Sequence, residues 1–310
     1  MYQTLKFEVN KHIATITLNR PDTYNAFNEE MSKEFLHALK ACRKDKGVRV
    51  IVLTGEGKAF CSGQDLKDAQ GKKRSLGESV DKRYNPMIRL VRGIEKPFVC
   101  RLNGVAAGAG ASLALACDYV VASEKVKMVW AFVNIGLVLD SGSSWFLPRL
   151  VGHRKAFELA TLGEKITAAQ ALEMGLVNEV VAPEDLDARV EEIAGKYAAS
   201  APRALALMKR MLNRSFESSL DQMLEVERQS QEIAGSTEDY KGGHGCFLRE
   251  TRSTVSREIR NLKHLYVLVY HPLNLYFHAP SHCPCLSGQY QATVPHVQIP
   301  RRKGDDATLG

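Results

Sequence analysis

The chain has 310 residues, 45% hydrophobic and 25% charged, which fits a globular domain with one sizeable core and not a disordered chain. It opens MYQTLKFEVNKH with no apolar leader, lacks any run near the roughly 20 apolar residues of a membrane helix, and spreads seven cysteines without framework spacing; a cytoplasmic, non-membrane protein is expected. The net charge of +7 divides into eight Lys/Arg against four Asp/Glu from Gly243 onward and 34 against 31 before it, a weak case for nucleic acid that still suits an anionic ligand.

In chain order, LKFEV from Leu5 and IATITL from Ile13 alternate as strands, and NRPDTYNAF turns the chain. Met31, Phe35, Leu36 and Leu39 have helical spacing over residues 28–43, with Asn28 as the cap. VRVIVLTG, ending at Gly55, reads as a strand covered on both faces. A helix over Val80 to Ile94, the strand PFVCRL, a Gly/Ala-rich turn with its helix, and the strand YVVA follow. Four or five helices are expected between Ser141 and Ala234, with little strand beyond VNEVV. The sum is an α/β domain with a helical C-terminal part from about residue 141. Within it Asp140 stands alone before Ser-Gly-Ser-Ser, where it could cap the next helix or do chemistry.

Two segments look built to present main-chain N–H groups. In GKAFCSGQDL a loop follows a buried strand, and Gly63 permits a tight turn. In NGVAAGAGASLALACD, Gly104, Gly108 and Gly110 let another group approach the start of a helix, whose free N–H groups favour negative charge. Each segment follows a strand, and an acid comes some 30 residues after the second.

AFCSGQDL and NGVAAGAGASLALACD resemble segments of the crotonase (enoyl-CoA hydratase/isomerase) superfamily, as do ITLNRPDTYNAF, GLVLDSGSSWFLPRLVG and TLGEKITAAQALEMGLVNEVV. The resemblance runs from about Leu5 to Lys241. Within the superfamily, FCSGQDL, YNPMIRL, NGVAAGAGASLAL and GLVLDSG look most like ring-1,2-epoxyphenylacetyl-CoA isomerases of phenylacetate breakdown. It implies a spiral of repeated ββα units with a helical C-terminal trimerisation region, as homotrimers often paired into hexamers. It also implies an acyl-CoA substrate and no separate cofactor, coenzyme A entering with the thioester.

By motif position the resemblance assigns the two N–H groups around the thioester oxygen to Ser62 and Ala109. Substrate contacts fall to Ala59, Cys61, Ser62, Gly63, Gln64, Asp65, Leu66, Gly108 and Ala109. Tyr84, Phe132 and Trp145 are assigned to the acyl pocket, with Phe146 as a further wall; Tyr84 and Asn85 receive no chemistry. Asp65 is read as ordering its loop. A nucleophilic role for Ser62 is disfavoured, since none of His12, His37 and His153 sits in a matching partner motif. Hydratases of the superfamily carry two glutamates, and their positions here hold Ser112 and Phe132, neither able to act as acid or base. Asp140 matches the single acid of isomerising members. The runners-up are a hydratase with atypical acids and a non-enzymatic, RNA-associated relative, the latter resting only on RKDKGVR.

The domain is bounded at residues 1–242, and 243–310 reads as an atypical tail. It holds six of nine histidines and three of seven cysteines, and its apolar residues have no sustained period, which suggests disorder. His282, Cys283 and Cys285 form one cluster where zinc sites usually need two, so no metal is expected. Relatives end with a pattern near AFLEKR-x-P-x-F, whereas this chain reads DYKGGHGCFLRETRSTVSRE. A nucleotide string encoding Gly243–Arg257 encodes GVTAAFLEKRDPQFQ when regrouped, so the tail is read as frame-shifted.

Overall fold

Alternation in the second strand sets the first layer of the fold. In β2 (Ile13–Leu18), Ala14, Ile16 and Leu18 are fully buried and their neighbours half-buried, as in a strand with one face inward. It pairs antiparallel with β1 (Leu5–Asn10) and parallel with β3 (Val50–Gly55). β3 is buried throughout because both faces are covered: Ile51 and Leu53 join the main core, Val50 and Val52 a second cluster.

The structure is a computed structural model, and it describes residues 2–69 and 75–243. One compact unit spans Met1–Lys241. The expectations for the tail beyond Gly243, its reading frame and its His282/Cys283/Cys285 cluster included, lie outside the described residues.

After β3 come β4 (Ala59–Cys61), β5 (Phe98–Leu102), β6 (Val105–Ala107), β7 (Tyr119–Ser123), β8 (Lys127–Val129), β9 (Ile166–Thr167) and β10 (Glu179–Val181). One sheet has the order β1-β2-β3-β5-β7-β10 and the other β4-β6-β8-β9. The chain therefore steps from the large sheet to the small one at β3–β4, β5–β6 and β7–β8. This is the expected α/β spiral of repeated units.

Helix α1 (Glu29–Lys44) is capped as anticipated, the Asn28 side chain accepting from the Met31 N–H at 2.8 Å. Two short helices follow, α2 (Leu66–Ala69) and α3 (Leu76–Ser79). The helix expected over Val80 to Ile94 opens with a π-helical turn, Val80–Tyr84, before α4 (Asn85–Gly93). Every residue of α5 (Ala109–Leu115) is buried.

Five helices then follow Ser141 among the described residues. These are α6 (Ser143–Leu162), α7 (Ala168–Glu173), α8 (Leu186–Ala199), α9 (Pro202–Arg214) and α10 (Leu220–Gly235). Gly152 breaks α6 with a non-helical φ of 74° and ψ of 165°. Leu186, Val190, Ile193 and Ala194 of α8 cover the valine face formed by Val50, Val52, Val99 and Val121. α9 is tied down by Lys209, whose Nζ donates to Asp118 Oδ2 at 2.6 Å and to two main-chain carbonyls. Among the described residues, no helix is long and apolar enough to cross a membrane.

Candidate active site

The loop after β4 and the start of α5 are pressed together by glycine. A Cβ on Gly110 would lie 2.1 Å from the Cys61 carbonyl oxygen, so α5 sits directly on the end of β4. Gly63, at φ +91°, brings its loop against the same helix start: a Cβ there would lie 2.9 Å from the Ala107 carbonyl and 3.3 Å from the Ala109 nitrogen. Gly108 precedes α5 with φ 52° and ψ −123° and donates its own N–H to the Val129 carbonyl at 2.9 Å. Ala109, in the first helical position, has no intrahelical acceptor for its N–H and none elsewhere among the described residues.

The sequence pattern assigns the second donor to Ser62, and the structure corrects this. The Ser62 N–H donates to the Tyr24 carbonyl at 3.0 Å, and its hydroxyl donates to the Thr23 carbonyl at 3.2 Å. The Asp65 N–H goes to the Phe27 carbonyl, and the Gly63 N–H points at Cys61 Sγ. Only the Gln64 N–H of this loop lacks a partner among the described residues, so the free amide stands two residues later than the motif implied.

Two further assignments change for reasons of burial. Ala59 and Cys61 have 1% and 0% exposure, too little to touch a ligand. The Ala59 carbonyl already accepts from Asn25 Nδ2 at 2.8 Å, and burial pushes the Cys61 thiol up to about 12. Gly63 is buried too and acts through its turn. Ser62, Gln64, Asp65 and Gly108 are partly accessible, and Leu66 is exposed. Asp65 accepts from Arg20 Nη2 at 2.9 Å and from the Lys67 and Asp68 amides. Burial works to raise its carboxyl, but these hydrogen bonds outweigh it and hold the group below the usual range.

Asp140 is no cap. The α6 N-terminus is formed by Gly142, and no side chain accepts there. The Asp140 carboxylate instead accepts from the Ser141 hydroxyl at 2.9 Å. Burial raises its pKa, against the opposing pull of that hydrogen bond. Ser141 holds a left-handed φ of 51°, an uncommon conformation for a side-chain-bearing residue, and Gly142 follows at 81°.

Ser112 links this turn to α5. Its Oγ lies 3.0 Å from the Gly108 carbonyl and 3.4 Å from the Asp140 carbonyl, and it hydrogen-bonds Ser143 Oγ. Trp130 Nε1 donates to the same Ser143 oxygen at 3.0 Å. Ser112, Ser143 and Trp130 are all fully buried, so the acid-bearing turn is fixed to the amide-bearing helix through the interior. Sequence reasoning missed this network, because isolated serines carry no periodic signal.

Of the aromatic residues assigned to the acyl pocket, Phe132 reaches the start of α5. The Phe132 ring lies 3.7 Å from where a Gly108 Cβ would stand. Tyr84 is 3% exposed and meets the Phe27 ring edge-to-face at 6.5 Å. Trp145 is half-buried, packs edge-on against Phe146 at 5.2 Å, and carries the Arg149 guanidinium 4.1 Å from its ring centre. With Ile88, Gly142 and Phe146 it lines a cavity of about 390 Å³ edged by Arg92 and Asn213. Among the described residues, no three His, Cys, Asp or Glu side chains converge as a metal would require.

Comparison with known proteins adds a family pattern and close relatives. The family model described as enoyl-CoA hydratase/isomerase matches residues 8–256. The chain is 40% identical to the 1,2-epoxyphenylacetyl-CoA isomerase of Escherichia coli, over 80% of this chain and 96% of that one. It is 30% identical to the crotonyl-CoA hydratase of Syntrophomonas wolfei, over 81% and 97% of the two chains. The crystal structure of an enoyl-CoA hydratase from Bacillus anthracis superposes with a TM-score of 0.77 at 31% identity, covering 80% of this chain and 97% of that one.

Proposed function

The chain belongs to the enoyl-CoA hydratase/isomerase family, and from that premise we propose that it isomerises acyl-CoA thioesters with Asp140 as its only acid–base group. Its activity is of the acyl-CoA isomerase or hydratase kind. One observation carries the choice between them: Ser112 ties the turn bearing the half-buried Asp140 to the helix that presents the Ala109 amide, while Ser112 and Phe132 themselves occupy the positions where hydratases of the superfamily hold glutamates.

In this mechanism the Gln64 and Ala109 N–H groups donate hydrogen bonds to the thioester carbonyl oxygen. Removing a proton from the adjacent carbon places negative charge on that oxygen, and two fixed donors stabilise it by several kcal/mol, on the order of what oxyanion holes supply. Asp140 takes the proton from the carbon next to the thioester and returns it two carbons further along, shifting the double bond. Nothing is added or lost. In a ring epoxide the same polarisation assists opening of the three-membered ring and expansion to the seven-membered oxepin. The 40% identity to an enzyme named for 1,2-epoxyphenylacetyl-CoA supports that substrate or a 3-enoyl-CoA.

The test is a substrate pair. Purified protein is expected to convert a 3-enoyl-CoA into the conjugated 2-enoyl-CoA at least a hundredfold faster than it adds water to crotonyl-CoA. Faster hydration would give the assignment to the second reading, a hydratase, which the similarity to proteins named hydratases favours. None of the relatives described above is named for nucleic-acid binding, and the RNA-associated reading has no observation behind it.

The protein is further proposed to act in the cytoplasm as a homotrimer or a pair of trimers. The four described cysteines are all free and buried, in keeping with a reducing compartment. Leu212, Phe216 and Leu220 leave 70%, 66% and 74% of their surface exposed on the C-terminal helices, apolar area that self-association would cover. Light scattering is expected to give a mass of three or six chains; a monomer at micromolar concentration removes this part of the reading.

A further inference from the structure

The two free amides are backed differently. Ala109 opens α5, whose aligned peptides lend its N–H a partial positive charge. Gln64 has only the short α2 beyond it. Its N–H belongs instead to a peptide unit held at the other end: the Gly63 carbonyl, in the same unit, accepts from the Phe27 N–H at 2.7 Å. The Ala26 carbonyl, in the same unit as that Phe27 N–H, accepts from Arg20 Nη1 at 2.6 Å. Two peptide units therefore stand head to tail between a guanidinium and the open amide.

Burial keeps this chain of bonds away from water. Ala26 and Phe27 are buried, and the Arg20 side chain largely so. Asp65 aims the guanidinium: its Oδ2 accepts from Nη2 at 2.9 Å and leaves Nη1 for Ala26. The Asp65 carboxylate also accepts from the Lys67 and Asp68 amides, at 3.1 and 3.2 Å, so its charge is shared among three donors. Arg20 and Asn25 close the turn between them, the Arg20 N–H donating to Asn25 Oδ1 and the Asn25 N–H to the Arg20 carbonyl, both at 2.9 Å. Each hydrogen bond in such a chain polarises the next, and one from an ionised donor is about twice as strong as a neutral one. The positive charge at one end thus sharpens the N–H donor at the other.

We propose that Arg20 is a positioning residue for the oxyanion hole: relayed through the Ala26–Phe27 and Gly63–Gln64 peptides, its charge strengthens the Gln64 N–H as a donor to the thioester oxygen. The relay supplies at Gln64 what the aligned peptides of α5 supply at Ala109. The inference rests on the two-amide reading and adds to it a side chain that stands two hydrogen bonds away from the donor it serves.

Infrared spectroscopy on the full-length protein reads donor strength without turnover. The probe is butyryl-CoA with a carbon-13 label at the thioester carbonyl. Binding to the wild type is expected to lower the carbonyl stretch. Binding to Arg20→Gln, which keeps a neutral donor toward Ala26, should lower it less. With a 3-enoyl-CoA, Arg20→Gln should lose about tenfold in kcat, less than the hundredfold or more of a donor removed outright, with KM held within about twofold. The double variant Arg20→Gln/Asp65→Asn leaves no carboxylate unpaired, and it carries the same two measurements where the single variant folds poorly. An equal carbonyl shift with and without the guanidinium, or a raised KM with kcat intact, overturns the proposal. A wild type that binds the probe without any shift overturns it together with the two-amide reading.

Discussion

Asp140→Asn is expected to lower isomerisation by about a thousandfold, the scale at which a positioned acid–base group contributes, with little change in acyl-CoA affinity. Burial raises the Asp140 pKa, so the native state holds this proton more tightly than the unfolded chain does. The stability linked to protonation is full below the unfolded carboxylate range and is lost as pH rises through the folded value. At neutral pH the native protein therefore carries a partly buried charge at a cost, and asparagine removes that cost. Asp140→Asn should accordingly melt higher than wild type near pH 7, and the gap should close as pH falls below the ordinary carboxylate range. In the wild type, kcat/KM should fall on the acid side at a pH above that range, since the base must be ionised to accept a proton. Kinetics and thermal melts across pH check these outcomes together. A variant that retains turnover, or melts lower than wild type at neutral pH, contradicts this role.

Gly110→Ala is expected to have the largest effect among glycine substitutions. The added methyl would lie 2.1 Å from the Cys61 carbonyl oxygen, 2.7 Å from its carbon and 2.8 Å from its Cβ. Two of these atoms are backbone and cannot rotate away. Helix α5 must then lift from β4, carrying the Ala109 amide away from the loop that presents Gln64. Loss of one such donor costs about a hundredfold to a thousandfold in kcat, and overpacking typically costs about 1–3 kcal/mol of stability. Gly195, inside α8, has nothing within 4 Å of its would-be Cβ. There alanine should stabilise by up to about 1 kcal/mol through helix propensity. The same substitution is thus expected to have opposite signs at two helical sites. Unimpaired kcat in Gly110→Ala would mean that the amide pair tolerates displacement and is not the source of rate.

Much of this architecture was legible because local signals agreed with the final packing. The alternation in β2, the continuous apolar run of β3 and the Asn28 cap each followed from spacing and side-chain chemistry. Asp140 was likewise singled out by its isolation. Ser62 shows where such reading stops. Its amide is taken by Tyr24, a residue with left-handed backbone in a turn 38 positions earlier, and no pattern within the motif reveals that pairing. Ala59 and Cys61 failed for a related reason, since sequence marks a strand end without telling which of its atoms a neighbouring helix covers. The π-turn before α4 adds one residue to the helical phase, too small a change to disturb apolar spacing, and the break at Gly152 lies in the backbone angles of a single residue inside an otherwise helical run.

The valine face of the large sheet has a consequence for biosynthesis. Val50 and Val52 leave the ribosome early, yet the helix that shields them begins at Leu186. For most of translation the nascent chain exposes sticky β-branched side chains on a sheet that is already able to pair. Tertiary closure joins segments more than 130 residues apart, a slow and aggregation-exposed kind of folding. Slowing or truncating synthesis before α8 is therefore expected to send the chain into aggregates, however strong the finished core.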